Sequence, residues 1–380
     1  MKILQINASY KPAYIYGGPT MSVAKLSEQL VKAGCIVEAF TTTANGAVEL
    51  PVAPNHKTNV DGVDVTYFKR ITKDHTHFSP ALLIKLWKQA GKFDLVHIHA
   101  WWNLVSVLSV LIALIKKKPV LISPRGTLSP YSFHNKNRSV KKLLHYLLGE
   151  QLLKRSYMHA TSNAEYKALT AIIKPEKIFD IQNFVNIAPA SAIKPSSDIS
   201  TFKLLFLSRI EEKKGLDILL NALPFLNIPY HLTIAGDGDI DYIDQLKNIA
   251  ANNSSSANIT WIGFQNESKF DVFRNHHLLV LPSYDENFGN VIIESLSSGT
   301  PVLISEQVGL ADYVVQNNLG WVCQTTPSSV SDAINNIAGN NLDKLSEIRS
   351  LAPEIIRTDF DENKLVQKYI DMYSEIINHG

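Results

Sequence analysis

Residues Leu278–Ser305 read LLVLPSYDENFGNVIIESLSSGTPVLIS. A continuous apolar run, Leu278–Pro282, breaks into a polar loop. The pattern then turns helical over Val291–Ser297, where Val291, Ile292, Ile293 and Leu296 make a mostly buried helix. Gly299-Thr300-Pro301 ends that helix, and a second apolar run, Val302–Ile304, follows. A strand, a helix and another short continuous apolar strand form the repeating unit of a parallel sheet covered on both faces.

The same alternation extends in both directions. Upstream in the second half, strands are expected at Lys203–Ser208, His231–Ala235 and Asn258–Ile262, with helices at Leu216–Leu226, Ile240–Asn252 and Glu267–Arg274. Downstream, a helix at Ser328–Ile337 follows a strand at Gly320–Cys323. The first half repeats the scheme, with strands at Lys2–Asn7, Ile36–Thr42, Val63–Phe68, Asp94–His99, Val120–Ser123, Met158–Thr161 and Lys177–Gln182. Helical patterns lie between most of them, as at Thr20–Ala33 and Pro80–Lys92. Asn186–Thr201 is rich in Ala, Pro and Ser without periodicity and reads as a linker. The expected architecture is therefore α/β, with two doubly wound Rossmann-like domains, 1–185 and 186–360. A C-terminal helix within 361–380 has Leu365, Tyr369, Met372, Tyr373 and Ile376 at helical spacing. In open sheets of this kind ligands sit beyond the carboxyl ends of the strands, so two such domains are expected to face each other across a cleft.

Composition agrees with two full cores. The chain has 380 residues, 45% hydrophobic and 19% charged, which excludes a disordered chain. Its two cysteines, Cys35 and Cys323, are too few and too far apart for a disulfide framework or a Cys-based zinc site, and point to a reducing, cytoplasmic setting. Met1-Lys2 runs directly into a short apolar strand rather than a signal-peptide core. Leu104–Ile115 is apolar but well short of the roughly 20 residues a spanning helix needs, and it ends in Lys116-Lys117-Lys118-Pro119.

The small net charge of +2 conceals an asymmetry. Residues 1–185 carry 24 Lys and Arg against 11 Asp and Glu, a surplus of +13, while the remainder stands at −11. Such a basic half suits an anionic partner: a phosphorylated substrate, an anionic membrane face or nucleic acid. No interleaved aromatic and basic stripe of the single-strand-binding kind is present, so nucleic acid is not expected. Lys136–Arg155 is basic and amphipathic. It fits either a core-facing domain helix or an interfacial helix on anionic lipid at the inner face of the cytoplasmic membrane.

Four loops carry chemistry. Ser208–Gly215, SRIEEKKG, places Arg209 and Lys214 five residues apart at a turn into a helix, which would clamp a diphosphate. Tyr284–Glu294, YDENFGNVIIE, places Glu286 in a loop and Glu294 inside the helix, with Phe288, Gly289 and Asn290 between them. Glu294 suits sugar hydroxyls, and the amides near Gly289 suit an anion. Tyr16–Thr20, with Gly17 and Gly18 before a helix, is a phosphate-approach loop or only a turn. Gly236–Asp239, GDGD, superficially offers a metal-binding Asp pair. Asp239 reads better as a helix N-cap, and no metal is expected.

Taken together, these stretches resemble the retaining glycosyltransferases of family 4, which have the two-domain GT-B fold. The matching segments are FLSRIEEKKGLDILLNAL, LTIAGDGD, ITWIGF and above all LPSYDENFGNVIIESLSSGTPVLIS, with its Glu-x7-Glu from Glu286 to Glu294. Looser matches are GGPTMSVAKLSEQL, DLVHIHAWW and HATSNAEYKAL. The resemblance implies a donor-binding second domain. There Arg209 and Lys214 would hold the diphosphate of a UDP- or GDP-linked sugar, Glu294 the ribose and Glu286 the sugar hydroxyls. Phe288, Gly289 and Asn290 would offer backbone donors, and Gly17 and Gly18 would approach from the acceptor domain. It implies a glycan or lipid-diphosphate-linked acceptor, no cofactor, and a role in bacterial surface polysaccharide or glycoconjugate assembly. Many relatives carry a His where this chain has Ser123-Pro124-Arg125-Gly126-Thr127, so Arg125 stands in its place. His99 is the other residue that could fill that role, or a core histidine. Ile181-Gln182-Asn183-Phe184 stands where relatives often have Pro-Asn-Gly. A sugar 2-epimerase shares the architecture and is the alternative enzyme.

Overall fold

Hydrophobic runs with side chains alternating between two faces pair side by side wherever helices can cover both faces, and that condition is met twice. In the computed structural model, which describes residues 1–129, 131–132, 148–189, 200–265 and 268–379, the chain divides into two units. One comprises Met1–Phe184 with Glu362–Gly380, and the other Val185–Asp361.

The first unit contains β1 (Lys2–Ile6), β2 (Ile36–Thr42), β3 (Ala44–Asn45), β4 (Val48–Glu49), β5 (Lys57–Val60), β6 (Val63–Phe68), β7 (Leu95–His99), β8 (Val120–Ser123), β9 (Tyr157–Ala160) and β10 (Ile178–Asp180). Its main sheet runs β10-β9-β8-β7-β1-β2-β6-β5. Every pairing is parallel except β5 with β6. The edge strand β5 was not expected from the sequence. It is joined to β6 by Asp61-Gly62, both with positive φ, and an Asp-Gly pair closes a two-residue hairpin. Helices α1 (Gly18–Lys32), α2 (Pro80–Gln89), α3 (Leu104–Ile115), α4 (Glu150–Lys154) and α5 (Asn163–Ile172) cross between strands. The apolar run at Leu104–Ile115 is indeed a domain helix, started by Asn103, whose side chain accepts from the Ser106 amide. No helix among the described residues is long and apolar enough to cross a membrane.

The second unit contains β11 (Phe202–Leu207), β12 (Tyr230–Ala235), β13 (Ile259–Gly263), β14 (Leu278–Leu281), β15 (Val302–Ser305) and β16 (Gly320–Cys323). They pair in the order β13-β12-β11-β14-β15-β16, all parallel. Its helices are α6 (Leu216–Ala222), α7 (Ile240–Asn252), α8 (Lys269–Arg274), α9 (Asn290–Ser297), α10 (Ala311–Gln316), α11 (Pro327–Asn340) and α12 (Leu342–Asp359). Helix α12 was not anticipated, because Pro353 inside it interrupts the usual helical signature. The last helix, α13 (Glu362–His379), puts Leu365, Tyr369, Met372, Tyr373 and Ile376 into the first unit's core.

Both units thus reverse strand order at one point, between β1 and β7 in the first and between β11 and β14 in the second. Loops leaving these neighbouring strands diverge to opposite faces and leave a crevice, which is where such sheets bind ligands. Both cysteines are buried free thiols. Most of the basic segment 136–155 and most of the 186–201 linker lie outside the described residues.

Candidate functional site

In the second unit the loops after β11 and β14 form the switch point. The first, Arg209–Gly215, makes one short helical turn. Gly215 follows at φ 70°, where an added Cβ would lie 2.1 Å from the Pro282 carbonyl oxygen. This close approach locks the two loops together, and the Tyr284 amide donates to the Lys213 carbonyl at 2.8 Å. The loop after β14 is tied to the one after β15: the Glu286 amide donates to the Gln307 carbonyl, and the Gly309 amide donates to the Glu286 carbonyl at 2.7 Å. Gly289 has φ 91°, and a methyl group there would meet Ile292 Cδ1 at 2.7 Å and Glu286 Cγ at 3.4 Å. A side chain here would have to displace Ile292 and adopt a strained positive φ, so glycine starts α9.

These loops bring Lys214 and Glu286 into a direct ion pair, with the two side chains 9% and 16% exposed. Burial alone would raise the Glu286 pKa. The positive charges of Lys214, Lys213 and Arg209 outweigh it and hold the carboxyl below its ordinary value. Burial lowers the Lys213 pKa, with Lys214 beside it adding to the effect. Arg209 pairs with Glu211 at 2.6 Å. Glu294 is held through Oε1 by Lys269 at 2.7 Å. Phe288 is in the core, edge-on to Phe360, so only its backbone can serve a ligand. Asn290 is the first residue of α9. Asp239 caps α7, accepting from the Tyr242 amide at 3.1 Å. Sequence reasoning missed Lys213 and Lys269. Lys213 was visible inside the SRIEEKKG loop, whereas Lys269 lies on another helix and is brought to Glu294 only by folding.

The remaining predicted residues lie in the first unit. Gly17 and Gly18 open α1, with Gly17 as its N-cap at φ 63°. His99 ends β7 and is completely buried. Its Nδ1 accepts from Arg125 Nε at 3.1 Å and its Nε2 bonds Gln5 Oε1 at 2.7 Å. Both ring nitrogens are therefore occupied, and the geometry suits orienting Arg125 rather than touching a ligand. Arg125 is partly exposed at the turn after β8, with φ 53°. Beneath it lies a polar group that sequence reasoning missed: Gln5, His97, Ser123, His159, Tyr369 and Tyr373. The visible trace was a strand reading LVHIH between otherwise apolar strands.

The comparisons follow this division. Residues 16–188 match the model of glycosyltransferase family 4, and residues 192–352 match glycosyl transferases group 1. The chain belongs to the family 4 type of glycosyltransferases. An uncharacterized glycosyltransferase of Methanocaldococcus jannaschii is 24% identical over 89% of each chain. An uncharacterized 41.2 kDa protein of the Klebsiella pneumoniae cps region is 23% identical over 93% of this chain and 99% of its own. Anabaena HepE, solved in complex with UDP and glucose, superposes with a TM-score of 0.75 at 21% identity, covering 99% of this chain and 100% of that one. The glycosyltransferase therefore has the GT-B fold. In this enzyme the family motifs fall on the second unit's switch point, and the departure at Arg125 falls on the first unit.

Proposed function

We propose that this glycosyltransferase moves a sugar, with retention at the anomeric carbon and without a metal, from a UDP- or GDP-linked donor to a hydroxyl. The acceptor is a glycan or lipid-diphosphate-linked molecule, and the pathway is surface polysaccharide or glycoconjugate assembly. The observation that carries this reading is the buried Lys214–Glu286 pair at the β11/β14 switch point, with Lys213 and Arg209 beside it. Three cations, Arg209, Lys213 and Lys214, against two carboxylates, Glu211 and Glu286, leave one positive charge in surplus, suited to a diphosphate. Glu286 stays ionised and accepts donor-sugar hydroxyls. Glu294, held on one oxygen by Lys269, offers the other to the ribose.

The C1–phosphate bond breaks and the acceptor oxygen bonds C1 on the same face. The acceptor proton passes to the leaving phosphate, whose growing charge Lys214 and Arg209 stabilise. HepE supports a UDP-linked donor, and the Klebsiella relative's location supports a polysaccharide role. Peripheral contact with an anionic inner membrane face is supported by exposed Ile84, Trp87 and Ile115 near Lys116, whose ammonium stacks 3.9 Å from the Trp87 ring. A thermal-shift screen of nucleotide sugars tests the donor reading: one UDP- or GDP-sugar should raise the melting temperature, and none doing so would end it. Sedimentation with anionic against neutral vesicles tests the membrane contact, which fails if the two bind alike.

A further inference from the structure

We propose that Arg125 is the centre of an oxyanion-binding site in the first unit, built to take a phosphate or carboxylate group of a substrate. The word substrate rests on the transferase reading; the site itself does not. The guanidinium has only neutral partners. Nε donates to His99 Nδ1 at 3.1 Å, and Nη1 donates to Ser22 Oγ at 2.9 Å and to Asn183 Oδ1 at 2.7 Å. Among the described residues no carboxylate pairs with Arg125, and Nη2 has no protein partner. Asn183 turns its oxygen to Arg125, and its Nδ2 is likewise without a protein partner among the described residues.

Glu165 is the carboxylate that fixes this turn, but it is committed elsewhere. It accepts from the Gly126 amide at 2.8 Å, and from the Thr161 amide and hydroxyl at 2.8 and 2.9 Å. Arg70, Arg209 and Arg274 each pair with an acid. Arg349 gives Nη1 and Nη2 to the carbonyls of His276 and Arg274 at the end of α8, where the helix dipole is negative. Arg125 has no such direct partner; the charge of Glu165 acts on it only through space. A partly buried cation with no carboxylate in direct contact is costly, and a residue with a long side chain in the left-handed region adds strain.

The rest of the unit holds that cation in one orientation. Arginine can only donate, so His99 Nδ1 must be the lone pair and Nε2 must carry the proton toward Gln5 Oε1. Gln5 Nε2 donates to Tyr373 Oη at 3.3 Å, and that hydroxyl donates to His97 Nδ1 at 2.8 Å. His97 Nε2 donates to Ser123 Oγ at 2.7 Å, and Ser123 donates to His159 Nδ1 at 2.6 Å. His159 Nε2 ends the chain at the Ile181 carbonyl, 2.7 Å away, which can only accept. An obligate donor at one end and an obligate acceptor at the other force every intervening bond in one direction. Each imidazole is neutral and each tautomer is set. His99, Gln5 and Tyr373 are thus positioning residues. The arrangement presents Nη2 as an aimed donor carrying charge, and an oxyanion is the chemistry that completes it.

Wild-type protein is treated with phenylglyoxal with and without inorganic phosphate, and modification at Arg125 is mapped by mass spectrometry. Phosphate should protect Arg125, and equal modification in both samples overturns the proposal without requiring any variant to fold. Phosphate and acetate are then titrated into wild type and Arg125→Gln at saturating UDP, with Arg125→Lys as the charge-conserving control. The expected result is at least about a tenfold loss of anion affinity in Arg125→Gln, less in Arg125→Lys, with UDP affinity within about twofold. That outcome assigns the oxyanion to the acceptor. A parallel tenfold loss of UDP affinity assigns it to the donor's own phosphate. Unchanged affinity for phosphate, acetate and UDP overturns the site. Failure of wild type to bind any nucleotide would remove the transferase reading, while the phosphate arms still decide this one.

Discussion

The two units share strand order about the switch point but satisfy their polar residues in opposite ways. In the second unit the buried strand positions are apolar apart from Thr233 and Ser305, and the charges sit in loops beyond them, where Lys214 and Glu286 neutralise each other. In the first, the polar residues are on the strands themselves: Gln5 on β1, His97 and His99 on β7, Ser123 on β8, His159 on β9. They face α13, whose Tyr373 completes the chain. A charged loop can be rearranged by a ligand at little cost to the core. A buried hydrogen-bonded chain cannot, since each unpaired member costs roughly 1–3 kcal/mol. The difference marks the second unit as the one that answers to ligand and the first as the one that is pre-set.

Acidification should separate them most strongly. Burial depresses the pKa of His97 and His99 far below normal and that of His159 to about 3. Each imidazole stays neutral in the folded state and takes a proton on unfolding once the pH drops below about 6.5. Stability is therefore full above that pH and is lost as pH falls from 6.5 toward the folded values, at up to about 1.4 kcal/mol per pH unit for each imidazole. His77, lowered to about 4, adds to the first unit, while the second has only His276 and His277 shifted in this sense. Calorimetry between pH 7 and 5 should show the first unit's transition moving down faster. Equal slopes would break the contrast. The Glu286 carboxyl, held below its ordinary 4.5, contributes only in a lower window: its stabilisation is present above 4.5 and is lost as pH falls further.

Lys214→Ala should lower turnover with the preferred donor by about 10²–10³-fold, as removal of a charge that stabilises a leaving group does. An active variant would dismiss Lys214 from the chemistry. Tyr373→Phe strands the Gln5 amide and His97 Nδ1 without touching a loop, so it should cost about 1–3 kcal/mol in denaturant unfolding. It should also leave nucleotide binding by the second unit unchanged. A loss below about half a kcal/mol would show that the chain is not load-sharing. The smallest effect is expected at Asp239→Ala, where loss of an exposed N-cap should cost about 1 kcal/mol and no metal dependence should appear or vanish. A changed response to chelator would return the Asp-Gly-Asp loop to consideration.

The second unit's site was legible because its information is local. Arg209 and Lys214 share one loop, Glu286 and Gly289 another, and each loop follows an apolar strand whose type the sequence declares. The pairing of Lys214 with Glu286 across 72 positions was not stated by either loop alone, but the strand order made it available. His99 and Arg125 were both noticed as rivals for one place. The structure makes them successive members of one hydrogen-bonded series, a relation no spacing expresses.

What the linear order of residues determined by itself was the alternation of strand and helix, the two sheets that follow from it, and the charged turns at their carboxyl ends. Periodicity and turn chemistry act over a few neighbours and need no distant partner. Only the folded chain decided which buried polar atoms meet. Gln5, His99, Arg125, Asn183 and Tyr373 come from five separate segments, and the cost of burying each is lifted only when sheet register and α13 packing deliver its partner.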